Sequence, residues 1–317
     1  MRFRAIGATF GAITLAVSLA ACGGSESNVK QGSTGQELKG VSLRVGSKEF
    51  TEQLVLGQLT LELLRAHGAT VTDKTNIQGS TNTRNALTSG LIDLYWDYTG
   101  TGWITYLKNA KPIPDPAEQY KAVAKADLAK NKIVWEPPAP LNNTYAFAIR
   151  QAKGQELGVK TMSDVANLLK TKPAEATFCI ESEFSTRDDG WPGLKKAYGM
   201  NVPSGNVKQL DTGVIYSETA KGSTCNFGEV FTTDGRIPAK HLQVLQDDKR
   251  FFPVYNASLT LRQQIADKYP QIAKIVAPVA TKLTDETMRG LNAKVDVDGY
   301  EPKQVAHDWL KQQGFIK

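Results

Sequence analysis

The sequence predicts an α/β protein of two domains, and three observations carry that expectation. Short segments that alternate apolar and polar residues recur between longer segments with helical periodicity. Residues 41–317 form a stretch longer than one hydrophobic core usually serves. Pro137-Pro138-Ala139-Pro140 interrupts the pattern midway, where a chain crossing between domains is expected.

The elements follow in order. Arg2 and Arg4 precede an apolar stretch over residues 5–21 that reads as an export signal. It ends in Leu19-Ala20-Ala21-Cys22, which resembles the bacterial lipobox, so Cys22 is the expected lipidated N-terminus of the mature chain. Residues 22–40, rich in Gly and Ser, read as a flexible tether. Residues 41–46 alternate as a half-buried strand does, and Ser47-Lys48-Glu49-Phe50-Thr51-Glu52 opens a helix ending near Ala66, before Gly68. A strand over 71–77, a short helix over 83–88 closed by Ser89-Gly90, and a strand over 91–96 come next. After the proline break, residues 145–149 resume as a strand. A helix over 162–169, a strand over 177–180 and helices over 193–198 and 213–221 repeat the α/β grammar. Phe251-Phe252-Pro253-Val254-Tyr255 returns the chain, and the remainder reads as mostly helical, with Ile272, Ile275, Val276 and Val279 on its apolar positions. No later segment is apolar and long enough to span a bilayer, and no internal repeat is evident.

Composition and motifs argue against several functions. The net charge of +6 arises from Lys and Arg scattered among acids, not from a basic patch, so nucleic-acid binding is not expected. The three histidines, His67, His241 and His307, have no catalytic motif around them, and His67 reads as a cation at a helix C-terminus. No nucleophile elbow, zinc motif or phosphate-cradling loop occurs, so no enzyme activity, cofactor or metal is expected. The pairs Asp188-Asp189 and Asp247-Asp248 read as solvated loop acids. With Cys22 lipidated, Cys179 and Cys225 remain as a disulfide pair in an oxidising compartment, or as two buried thiols.

The aromatic residues point toward binding. Tyr98 follows a strand, Tyr145 begins one and Tyr255 lies in a crossing segment, and strand ends are where open α/β sheets hold ligands. A cation without N–H donors is held by aromatic faces, whose quadrupoles attract it by about 0.5–2 kcal/mol each. Taken singly, each of these tyrosines reads more often as a packed residue with a satisfied hydroxyl.

Larger motifs carry a family resemblance over nearly all of residues 41–317. They are Gly46-Ser47-Lys48-Glu49-Phe50-Thr51-Glu52-Gln53, Gly90-Leu91-Ile92-Asp93-Leu94-Tyr95-Trp96-Asp97-Tyr98-Thr99-Gly100-Thr101 and Asn143-Thr144-Tyr145-Ala146-Phe147. Ser182-Glu183-Phe184, Arg187, Asp189-Gly190, Asp211-Thr212-Gly213, Thr233-Asp234-Gly235-Arg236-Ile237 and Asp247-Asp248-Lys249-Arg250-Phe251-Phe252-Pro253 follow in order. The chain thereby resembles the quaternary-ammonium substrate-binding proteins of ABC importers, which take up glycine betaine, choline and carnitine.

That resemblance implies a two-lobe, periplasmic-binding-protein-like fold of type II, with a cleft between lobes and a two-segment hinge. Residues 41–145 plus 256–317 would form lobe 1, and residues 146–255 lobe 2. It implies an aromatic cation box of Tyr98, Tyr145, Phe231 and Tyr255, and contacts to the ligand's anionic end from Lys48, Thr101 and Arg187, whose fork could grip a carboxylate. It also implies an extracytoplasmic, membrane-anchored monomer serving a permease and ATPase subunits on separate chains. Phe231 departs from the tyrosine usual at its place in the family, which puts preference among the amines in doubt. The rival readings are a receptor of the same fold for another amine, an amino acid or an aromatic compound, and a sensory domain.

Overall fold

The computed structural model of the protein describes residues 35–317. The export signal, Cys22 and most of the expected tether lie outside the described residues. The tether stops earlier than expected: Leu38 is fully buried in the core and its N–H donates to the His67 carbonyl at 3.0 Å. One apolar residue with a waiting pocket is enough to dock the end of a polar stretch.

Among the described residues, ten strands form two five-stranded sheets. The first contains β1 (Ser42–Lys48), β2 (Thr70–Ile77), β3 (Leu94–Tyr98), β4 (Ile133–Trp135) and β10 (Ala257–Arg262), in the order β2-β1-β3-β10-β4. The second contains β5 (Tyr145–Arg150), β6 (Phe178–Ile180), β7 (Val207–Gln209), β8 (Phe227–Phe231) and β9 (Leu242–Val244), in the order β7-β6-β8-β5-β9. The chain leaves the first sheet after β4 and comes back to it at β10, so two segments join the sheets. The fold is α/β with two lobes.

Strand β10 lies inside a segment expected to be mostly helical. Ala257-Ser258-Leu259-Thr260-Leu261 is nevertheless a central strand, antiparallel to both β3 and β4 and buried on both faces. Its two inward hydroxyls are satisfied locally: Thr260 Oγ1 donates to the Tyr95 carbonyl at 2.8 Å, and Ser258 Oγ donates to the Glu136 carbonyl. Ala257-Ser258-Leu259-Thr260-Leu261-Arg262 alternates apolar and polar residues, so the strand signal is present in the sequence, and reading the whole tail as mostly helical passes over it.

Helix α1 (Thr51–Ala66) is buried on nearly all sides, because the sheet lies under it and helices Gln271–Ala280, Asp285–Asp296 and Pro302–Gln312 lie over it. The C-terminal tail therefore completes the first core. The second core gathers Phe147, Phe178, Phe184, Trp191 and Phe227.

Cys179 on β6 and Cys225, just before β8, are joined in a disulfide with Cα atoms 5.8 Å apart. The bridge ties two adjacent parallel strands, β6 leading into the loop with Arg187 and β8 ending at Phe231. Closing a loop across a sequence separation of 46 restricts the unfolded chain. Replacing both cysteines by alanine is expected to cost about 2–4 kcal/mol of stability, measured by urea unfolding of the protein. An unchanged midpoint would show that the bridge adds nothing to an already rigid sheet.

Candidate functional site

The ends of the central strands face one another across the gap between the sheets. Lys48 ends β1, Tyr98 ends β3 and Phe231 ends β8, while Tyr145 begins β5 and Tyr255 lies two residues before β10. Tyr145 pairs directly across the ladder with Phe231, and Tyr98 with Ala257. Strand register alone thus brings aromatic side chains from both sheets to one place. All seven residues singled out above, Lys48, Tyr98, Thr101, Tyr145, Arg187, Phe231 and Tyr255, line a single cavity.

The rings form a connected set. Phe231 stacks on Phe50 with centroids 5.2 Å apart and meets Tyr145 at 5.1 Å, and Tyr145 meets Tyr255 edge-on at 5.4 Å. Phe50, not among the expected box residues, is therefore a fifth aromatic wall. Its signal in the sequence is a broken local rule: it holds the N-cap of α1, where Ser, Thr, Asp or Asn is favoured, and supplies no capping bond. Gly100 permits the close fit of the Thr99–Thr101 turn under Tyr255, since a Cβ there would lie 2.8 Å from that ring.

Every basic group in the cavity is already paired. Lys48 Nζ lies 2.9 Å from Asp97 Oδ1 and 5.2 Å from the Tyr98 ring centroid. Arg187 Nε and Nη2 donate to the two oxygens of Asp189 at 2.7 and 2.6 Å, and Nη1 donates to Glu183 Oε1 at 2.7 Å. The fork expected to hold a ligand carboxylate thus holds Asp189. Arg187 Cζ sits 5.6 Å from the Tyr145 centroid, and Nη2 is 3.5 Å from Thr101 Oγ1 of the opposite lobe. Asp189 also accepts the Tyr255 hydroxyl at 2.6 Å. Asp189 is buried while Asp188 is exposed, so the expectation of two solvated acids fails for one of them: a buried guanidinium needs a buried counter-charge. Asp247 departs likewise, accepting from the Tyr198 hydroxyl at 2.5 Å and the Phe252 N–H at 2.8 Å. His67 caps the end of α1 as expected, with Nδ1 2.9 Å from Glu37.

The lobes touch through polar bonds beside the cavity. Thr233 Oγ1 donates to Glu52 on α1, which also accepts the Tyr98 hydroxyl at 2.8 Å and Asn292 Nδ2 at 3.2 Å. Burial pushes the Glu52 carboxyl up, and these donors offset part of that. Burial likewise holds the Glu229 carboxyl well above its ordinary value, although it accepts the Glu181 N–H at 2.7 Å. Glu183 behaves oppositely. Burial opposes its charge, yet Arg187, then Lys48 and the Ser80 N–H, bring it down to about 2.

A model of the substrate-binding domain of ABC-type glycine betaine transport systems matches residues 41–312. The chain belongs to this family. It is 36% identical to the glycine-betaine-binding protein of Pseudomonas aeruginosa over 280 residues, 87% of this chain and 89% of that one. It is 35% identical over 274 residues to an ergothioneine transport permease/ergothioneine binding protein of Helicobacter pylori, covering 86% of this chain and 48% of that longer one. A solved structure described as a glycine betaine/carnitine/choline ABC transporter is 26% identical with a TM-score of 0.70, covering 87% of this chain and 99% of the other. Family members are substrate-binding components, and the site has the make-up of a binding cleft: aromatic walls and paired charges.

The buried acids set a pH dependence. A carboxyl raised in the folded protein favours folding at and below its unfolded value of 4.5, and that contribution is lost as pH rises through the folded pKa. Stability in urea is therefore expected to increase as pH falls from 8 toward 5, and Glu229→Gln to remove part of that increase. Glu183 acts with the reverse sign, its contribution being present above 4.5 and lost as pH falls toward about 2. Equal pH slopes for wild type and Glu229→Gln would show that Glu229 is not protonated on folding.

Proposed function

We propose that this chain captures a quaternary-ammonium osmoprotectant, of the glycine betaine, choline and carnitine class, and delivers it to an ABC importer. The observation that carries this reading is the convergence of Phe50, Tyr98, Tyr145, Phe231 and Tyr255 on one buried cavity whose basic residues are already neutralised. Such a cavity suits a cation that offers no N–H donors, since ring faces attract it without hydrogen bonds. The names of the relatives, glycine betaine and ergothioneine binders among them, support the same class.

In this reading residues 41–145 plus 256–317 form one lobe and 146–255 the other, and the two chain crossings are the hinge. The ligand stabilises the closed arrangement by contacts it makes only there. The protein is a monomer without catalytic activity, and permease and ATPase are separate chains. Export and diacylglyceryl attachment at Cys22 place it on the outer face of the cell membrane. Cys22→Ser is expected to release the protein from the membrane fraction into the extracytoplasmic fluid. Retention on the membrane would remove the anchor from this account.

The deciding test is isothermal titration of the soluble domain with glycine betaine, choline, carnitine, ergothioneine and a neutral carbon isostere of choline. Binding of at least one cation, with no heat from the isostere, is expected. Tyr145 is the cleanest wall to vary, because the hydroxyls of Tyr98 and Tyr255 also hold Glu52 and Asp189. Tyr145→Phe should retain most of the affinity, whereas Tyr145→Leu should lose about tenfold, within the range of one cation–π contact. If none of the cations binds, the cargo is a different small solute.

A further inference from the structure

The lobes also meet away from the ligand-facing side chains. At one place Glu183 of the second lobe accepts the N–H of Ser80, at 2.9 Å, where helix α2 (Ser80–Thr88) begins on the first. At another, residues 232–236, which follow β8, lie against the helix Asp285–Asp296 of the C-terminal tail. Arg289, Asn292, Ala293 and Asp296 share one face of that helix by their spacing. Arg289 Nη2 donates to the Thr232 carbonyl and Asn292 Nδ2 to the Thr233 carbonyl, each at 3.0 Å. Arg236 Nη2 lies 3.6 Å from Asp296 Oδ2.

Among these contacts Gly235 faces Ala293 with no room for a side chain. A Cβ on Gly235 would lie 2.5 Å from Ala293 Cα and 2.6 Å from its N, far inside ordinary contact. The backbone itself does not ask for glycine here: φ −70° and ψ −19° lie in the right-handed helical region, open to any residue. What requires the glycine is the helix of the other lobe. Neither side yields easily. In the loop, Asp234 accepts the Arg236 N–H at 2.8 Å and holds its guanidinium, which lies 4.1 Å from the Tyr216 ring centroid. On the helix the overlap falls on main-chain atoms, and Met288 and Leu291 anchor that helix in the first core. The loop is also tied to a chain crossing, since the Thr232 N–H donates to the Thr144 carbonyl at 3.0 Å and its hydroxyl to the Asn142 carbonyl at 3.1 Å. Two rigid surfaces that touch beside a crossing limit how far the lobes turn toward each other.

We infer that Gly235 is a positioning residue: its contact with Ala293 is the stop that sets how far the cleft closes, and so how tightly the aromatic walls grip a ligand. The inference rests on the lobe-closing reading above and holds whichever amine is carried. Phe50, Phe231, Thr233 and Asn292 line one small cavity beside the contact, so stop and box are neighbours. Phe50 belongs to the first lobe and Phe231 to the second, and their rings stack at 5.2 Å. A methyl group on Gly235 needs about 1 Å of extra separation to reach ordinary carbon–carbon contact. The same parting widens the Phe50–Phe231 stack and stretches the bond from Thr233 to Glu52. Contacts that a ligand makes only in the closed state weaken with it, and the ligand leaves faster.

The test compares wild type, Gly235→Ala and Ala293→Val, each also carrying Asn85→Cys in the first lobe and Lys208→Cys in the second, exposed positions for spin labels. Distances between the labels are measured by electron spin resonance with and without glycine betaine or choline, and affinities by calorimetry on the unlabelled proteins. Gly235→Ala is expected to show a longer distance than wild type in the amine-bound protein and to weaken binding about tenfold, mostly through faster dissociation. Its ligand-free thermal midpoint should not fall, because alanine suits this backbone and overlaps only in the closed arrangement; a merely structural glycine would lower it. Ala293→Val crowds the same contact from the first lobe and should give the same changes if the alanine variant does not fold. Equal bound distances and equal affinities in all three proteins overturn the inference. If neither amine binds wild type, the cation reading fails instead, and the ligand-free distances decide: loss of the shortest wild-type distances in the variants supports the stop, and coinciding distributions overturn it.

Discussion

A buried guanidinium organises this site. Arg187 is removed from water between two lobes, and a charge in that position is tolerated only when its counter-charges and hydrogen bonds are complete. Asp189, two residues along, supplies a bidentate partner, and Glu183, four residues back, supplies a second. The consequences spread outward. Asp189 fixes the Tyr255 hydroxyl, Glu183 fixes the start of α2, and the guanidinium face lies over the Tyr145 ring. Removing the arginine would leave the buried Asp189 and the half-buried Glu183 without their counter-charge, so most of the polar cleft depends on this one side chain.

The aromatic walls depend on the same arrangement from the other side. Ring pairs at 5.1 to 5.4 Å are ordinary aromatic contacts, so the box holds itself together by packing as well as waiting for a cation. Phe231 fits this role without a hydroxyl: its neighbours are the Phe50 and Tyr145 rings, and its backbone N–H is satisfied by the Tyr216 hydroxyl at 2.9 Å. A phenylalanine at this place keeps the wall and leaves the charged network to residues on other strands.

The sequence made much of this legible because cleft residues sit at element ends, where turn and strand signals change. Tyr98, Tyr145 and Tyr255 stand out at strand ends and crossings, while Lys48, Arg187 and Phe231 follow only from the family resemblance, and the structure brings all six around one cavity. Pairing was not legible. Nothing in the order of Arg187-Asp188-Asp189 shows that one acid is buried on the arginine and the other exposed, since that depends on which way the loop turns. Strand β10 is passed over for a different reason: its six residues do alternate apolar and polar, but so short a signal is outweighed by the helical periodicity of the long segment that follows it. Phe50 was visible as a letter but not as a wall, because its partner Phe231 lies on the other sheet.

Closure of such a cleft is a balance between charges that must be desolvated and bonds that replace their water. The cross-lobe bonds of Glu183 to Ser80 and Thr233 to Glu52 are made by groups whose partners belong to opposite lobes, so they form only when the lobes meet. Each recovers part of the desolvation cost, and neither needs a ligand's own polar groups to do so. A cleft that satisfies its charges internally leaves the ligand to contribute what the protein lacks, which is a soft, permanently charged body against aromatic faces. Affinity then follows the fit of the ammonium head.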